Sequence, residues 1–132
     1  MSHHEIHAKL TGREEVPPVK TCAYGKFKAL VSRCTFKYKI GAFKIKKVTE
    51  AHLHLGKPGE NGPIIAVLFH ACKPTDGLLL TGKIEAKNLR GPLKGKCLKA
   101  LYHEIKRGNV YVNVHTDEYP NGELRGQLPG KH

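Results

Sequence analysis

Lysines alternate one for one with aromatic or aliphatic residues along three stretches of this chain. Lys26 and Lys28 are interleaved with Phe27 and Ala29, Lys37 and Lys39 with Phe36 and Tyr38, and Lys44 and Lys46 with Phe43 and Ile45. A period of two is the signature of a β-strand, whose successive side chains point to opposite faces. The pattern therefore predicts strands with lysines in solvent and rings or aliphatics in a core. Lysines on exposed strands also discourage edge-to-edge association.

The same reading along the whole chain predicts strands over residues 4–11, 25–32, 34–41, 49–55, 64–70, 79–86, 110–116 and 123–128. Breakers separate them: Pro17-Pro18, Gly41, Gly56-Lys57-Pro58-Gly59, Asn61-Gly62-Pro63, Asp76-Gly77, Gly91-Pro92 and Pro120-Asn121-Gly122. One stretch has a helical period instead. Leu98, Leu101, Tyr102 and Ile105 follow i, i+3, i+4, i+7, which predicts a short helix near residues 97–107 stopped by Gly108. With 132 residues and no repeat, linker or low-complexity tract, the expectation is a single domain over 1–132. The fold class expected is all-β: an antiparallel Greek-key β-sandwich or flattened barrel of eight strands.

Composition removes several function classes. The net charge is +12, yet the five arginines are scattered, and neither arginine clusters nor stacking platforms stand out, so no nucleic-acid partner is expected. No apolar run approaches the length of a membrane span, and no membrane partner is expected. The first residues lack the apolar core of a secretory signal, which points to the cytoplasm, or to an extracellular or periplasmic location if the chain is a processed form. Cys22, Cys34, Cys72 and Cys97 contain no CxxC pair and allow three pairings; reduced, mostly buried thiols are expected. Neither GxSxG nor a P-loop occurs, which argues against acyl and phosphoryl transfer.

The nine histidines carry the chemical signal. His52 and His54 form an HxH pair within Ala51-His52-Leu53-His54-Leu55. On a strand they share a face, about 6.5–7 Å apart along the chain, while the intervening aliphatics turn to the core. Val110, Val112 and Val114 alternate in the same way with Tyr111, Asn113 and His115. If the two strands are neighbours, His52, His54 and His115 meet. The competing reading is a hydrogen-bonded histidine cluster without a metal. His70 either supplies a fourth ligand or caps the apolar run from Ile64 to Phe69, with capping favoured. His7 is expected on the exposed face of the first strand; His3 and His4 can chelate adventitiously, and His103 and His132 are solvated.

Three segments resemble the CHRD domain family, named from chordin, an extracellular antagonist of growth factors. They are Leu10-Thr11-Gly12-Arg13-Glu14-Glu15-Val16-Pro17-Pro18-Val19; Ala51-His52-Leu53-His54-Leu55-Gly56 with Gly59, Gly62 and Pro63; and Gly108 to Thr116 followed by Pro120, Gly122, Glu123, Arg125 and Gly126. The resemblance runs in order over nearly the whole chain. A weaker similarity joins His52, His54, His115 and Arg125, in that order, to copper–zinc superoxide dismutases, which place an HxH pair, a later histidine strand and an anion-guiding arginine on a β-sandwich. The bridging histidine of those enzymes has no counterpart here, because Ile64 follows Gly62-Pro63, and the zinc-binding Asp and loop cysteine are also unmatched. Any site is thus expected to hold one metal ion.

Three neutral imidazoles suit copper, with zinc as the alternative if a fourth ligand closes a tetrahedron. Glu15, Tyr111 and Asn113 are expected around the ligands, Glu15 accepting an imidazole N–H. Arg125 is expected to draw in a small anion such as superoxide, or else to pair with Glu123, Asp117 or Glu118. The functional expectation is a copper-binding protein with superoxide dismutase-like chemistry; the alternative is a non-catalytic, protein-binding or structural module. A zinc hydrolase lacks HExxH or paired carboxylates.

Overall fold

The computed structural model describes residues 4–129. Eight strands run in chain order: β1 His4–Leu10, β2 Tyr24–Val31, β3 Phe36–Phe43, β4 Val48–Leu55, β5 Ile64–Thr75, β6 Leu78–Ile84, β7 Val110–Thr116 and β8 Leu124–Leu128. One helix, α1, spans Leu98–Lys106. The strands form two antiparallel four-stranded sheets, ordered β1-β2-β3-β6 and β5-β4-β7-β8. This is an open two-sheet sandwich, not a closed barrel; at one margin β1 and β8 are stitched by an isolated bridge between Thr11 and Arg125.

The alternation that predicted the strands fills the space between the sheets. Phe27, Phe36, Ile40, Leu53, Ile65, Ile84, Leu124 and Leu128 are essentially inaccessible. Helix α1 adds Leu98, Leu101 and Ile105 to this core. Its Tyr102 anchors it to the β2–β3 turn by donating its hydroxyl to the carbonyls of Ser32 and Thr35, each at 2.7 Å.

Several expectations need correction. Residues 44–47 form a bend rather than strand, with Lys44 and Lys47 at positive φ, and the bend reverses which parity faces inward. Phe43 consequently points outward with Lys37 and Lys39 and is 37% exposed, while Ile45 is buried. β5 does not end at His70 but continues to Thr75, so His70 caps nothing. The four cysteines are exposed, not buried, and form no disulfide. They sit where the core is out of reach: before β2, in the β2–β3 turn, on the distal half of β5, and at the residue preceding α1.

Candidate metal centre

β4 and β7 are the two central strands of the second sheet, and they pair antiparallel with His54 opposite Tyr111, His52 opposite Asn113 and Glu50 opposite His115. Ala51, Leu53, Val110, Val112 and Val114 are all fully buried on the inner face. The histidines therefore project from the outer face, as the matched parity predicted. That face is not open. The loop after β4, the β7–β8 loop and the segment around Glu15 fold across it, leaving His52 4% and His54 8% exposed.

The three imidazoles converge. Their centroids lie 5.5 Å (His52–His54), 4.8 Å (His52–His115) and 6.2 Å (His54–His115) apart. One nitrogen from each lies within 4.8 Å of the others. The remaining nitrogens determine the tautomers, because each faces an oxygen that only accepts. His54 Nδ1 donates to the Gly62 carbonyl at 2.8 Å and His115 Nδ1 to the Pro120 carbonyl at 2.8 Å. His52 Nε2 donates to Glu50 Oε1 at 2.9 Å. In the neutral rings this leaves lone pairs on His52 Nδ1, His54 Nε2 and His115 Nε2, all directed to the shared space. His54 Nε2 is buried with no hydrogen-bond partner. His52 Nδ1 and His115 Nε2 stand 3.1 Å apart, two lone pairs face to face unless a proton or cation lies between them.

Burial favours the neutral rings of His52 and His54. Burial pushes the His54 pKa down to about 4, opposed only by its bond to Gly62. Burial, followed by the charge of His115, also lowers that of His52, with Glu50 pulling the other way. For Glu50, burial is the largest single influence and acts upward. The hydrogen bond and charge of His52, with the charges of His70 and His115, outweigh it and hold the carboxyl below its usual range.

Below the imidazoles lies a stack. Tyr111 is parallel to His54, with 4.8 Å between centroids and 4° between planes. The Arg125 guanidinium covers the other face of Tyr111 at 3.5 Å. Arg125 is 1% exposed, and its fork donates to Lys57 O (2.9 Å), Gln127 Oε1 (3.2 Å) and Asn61 Oδ1 (3.4 Å). Among the described residues it pairs with no carboxylate, neither Glu123, Asp117 nor Glu118. Its geometry is that of a clamp on the loop roofing the site, with the Tyr111 ring standing between it and the histidines. Tyr111 OH accepts from Gly62 N at 3.0 Å and so positions the same loop.

The remaining expected residues are placed as follows. Asn113 does not reach an imidazole; its Nδ2 donates to Glu15 Oε2 at 2.5 Å and to Leu124 O at 3.3 Å. Glu15 accordingly serves Asn113 rather than an imidazole N–H. Burial raises its pKa to about 7, against the pull of Arg125 and Asn113. His70 is 70% exposed, touches Glu50 at 3.7 Å, and stays outside the three-nitrogen group. His7 lies on the other sheet beside Glu5, His4 is exposed at the start of β1, and His103 is exposed on α1. His3 and His132 fall outside the described residues. Glu50 went unnoticed in the sequence, although it shares strand parity with His52 and His54. The Gly62 and Pro120 carbonyls are backbone groups that a search for side-chain ligands passes over.

A two-sheet Greek-key sandwich with three convergent imidazoles on the outer face of one sheet defines a class of β-domain. The chain matches the CHRD domain family over residues 6–128 and belongs to it. It is 28% identical over 135 residues to chordin of Xenopus laevis, an alignment covering 96% of this chain and 13% of chordin. No solved structure matches it. The likeness to superoxide dismutases rests on residue order alone.

Proposed function

We propose that this CHRD domain binds one transition-metal ion, copper in preference to zinc, through His52 Nδ1, His54 Nε2 and His115 Nε2. One observation carries the reading: every imidazole N–H is bound outward to an oxygen, while the three lone pairs turn inward on a space where a buried nitrogen lacks any partner. A hydrogen-bonded structural cluster would instead alternate donor and acceptor. Metal–nitrogen bonds of about 2.0–2.1 Å place ligands roughly 3.3–3.5 Å apart, between the 3.1 Å of His52 Nδ1–His115 Nε2 and the 4.8 Å outer spread, so small shifts of the rings form the site. An all-imidazole set of three, joined by no thiolate or fourth protein ligand among the described residues, favours copper over a closed zinc tetrahedron.

Bound copper supplies one-electron redox chemistry, and this makes superoxide the first substrate to assay. The protein's own residues hold ring orientation through Glu50, Gly62 and Pro120, and exclude bulk water from the His54 side. The buried, fully engaged Arg125 lends no support to an anion-guiding role.

The test is elemental analysis of tag-free protein after copper or zinc loading and dialysis, beside a His52→Ala/His115→Ala variant. About one copper per chain, absent from the variant, is expected. Equal and substoichiometric metal in both would sink the proposal and leave the histidines as a structural cluster.

A further inference from the structure

The outer face of the first sheet is the converse of the roofed metal face. Among the described residues no loop crosses it, and its cross-strand register sets like charges side by side. Lys9 faces Lys26, Lys28 faces Lys39, and Lys37 faces Lys83. Facing side chains in an antiparallel pair lie about 4.5–5.5 Å apart, and like charges there repel. Among the described residues the one carboxylate in ion-pair distance of them is Glu5, 3.5 Å from Lys28.

Apolar groups share this face. The large hydrophobic residues that stay exposed are Tyr24 (47%), Leu30 (40%), Phe43 (37%) and Leu79 (66%), and all four project from it. Tyr24 and Phe43 touch, with centroids 5.5 Å apart. The Phe43 ring lies back over Gly41, next to the Leu79 side chain. The result is an apolar patch at one end of the sheet, followed by rows of lysines and then Leu30.

We propose that this face docks on the surface of an anionic lipid bilayer, the lysines meeting headgroups while Phe43, Leu79 and Tyr24 enter the interfacial layer. Charge complementarity requires an anionic partner, and a second copy of this chain would bring cation against cation. A hydrated polyanion such as nucleic acid satisfies the lysines but offers nothing to Leu79, and the face has no arginine for base or phosphate forks. A bilayer supplies negative charge and an apolar layer together, on a scale that fits an open four-stranded face. Such docking is peripheral and needs no spanning segment. The expectation of no membrane partner came from the absence of an apolar run, which bears only on spanning.

The chain contains no tryptophan, so Leu79→Trp gives a single reporter within the apolar patch. Flotation with phosphatidylcholine vesicles containing phosphatidylserine should capture the protein, and pure phosphatidylcholine should not. The reporter should shift to the blue on the anionic vesicles. Lys26→Gln/Lys39→Gln should weaken binding by roughly 25-fold, about fivefold per lysine. Leu79→Ser should weaken it by about tenfold. All these sites are exposed, and unchanged circular dichroism would show the fold retained. Absence of binding to anionic vesicles overturns the proposal. So does binding without a blue shift that Leu79→Ser leaves intact and that heparin or duplex DNA matches, since the surface would then be a plain polyanion site.

Discussion

At His54 burial and chemistry act on the same atom. In metal-free protein its ring stays neutral to about pH 4, whereas in the unfolded chain it takes a proton near 6.5. Between those values the unfolded state binds more protons, so stability is complete above pH 6.5 and falls as the pH drops, by on the order of 3 kcal/mol in all. Glu15 acts in the opposite sense. Its folded pKa of about 7 lies above its ordinary 4.5, so its contribution is present at low pH and is lost as the pH rises through that interval. The two slopes oppose each other in the parent protein. Glu15→Gln should therefore expose the His54 slope, and urea denaturation at pH 5 and 6.5 should show a larger difference for the variant than for the parent. Glu50→Gln tests the ligand environment. Without the carboxylate on His52 Nε2, metal affinity should fall about 10–100-fold in chelator competition, with little change in melting temperature. The imidazoles were legible as candidates because strand parity turns each of His52, His54 and His115 away from its strand's aliphatic face; the β4–β7 pairing that brings them together came from the structure. The fates of Glu15 and Arg125 were not. Both depend on what lies opposite them in loops whose path is set by tertiary contact.

Among the elements, the loop from Gly56 to Pro63 connects fold to site. It carries the Gly62 carbonyl to His54 and presents Lys57 and Asn61 to Arg125. Gly62 has no room for a side chain: an added Cβ would lie 1.7 Å from the Leu55 carbonyl oxygen. Gly62→Ala should thus displace the loop, lower thermal stability by several kcal/mol, and loosen metal binding with it. Calorimetry and chelator competition on the same sample would report both. Element identity was readable wherever one face met the core, since alternation in β2 and the 3.6-residue period in α1 both reflect burial on one side. It failed where that constraint lapses. The distal half of β5, from Ala71 to Thr75, is largely exposed and looks like loop in sequence. Phe43 was assigned inward because the reversal of phase at Lys44–Lys47 leaves no mark in hydrophobicity.

For the whole molecule, the net charge of +12 is unevenly distributed, and repulsion is concentrated on the open sheet. Screening should relieve it. Raising salt from a few millimolar to about 0.3 M should increase the melting temperature by a few degrees, and Lys26→Gln should reduce that dependence. A flat or inverted response would mean the facing lysines cost nothing. The sandwich architecture was visible from the number and spacing of strands. Which strand lies beside which was not, because the β3–β6 and β4–β7 pairings join residues far apart in the chain.

The alternation in β4 and β7 also bears on inheritance. Residues that hold the sheets together and residues that would hold a metal occupy interleaved positions on the same strands, facing opposite ways. Ala51, Leu53, Val112 and Val114 can be kept while His52, His54 and His115 are exchanged, and the reverse holds as well. The architecture and its chemistry are therefore separable traits. A descendant could exchange the histidines and remain the same fold, or alter this cluster without rebuilding its interior.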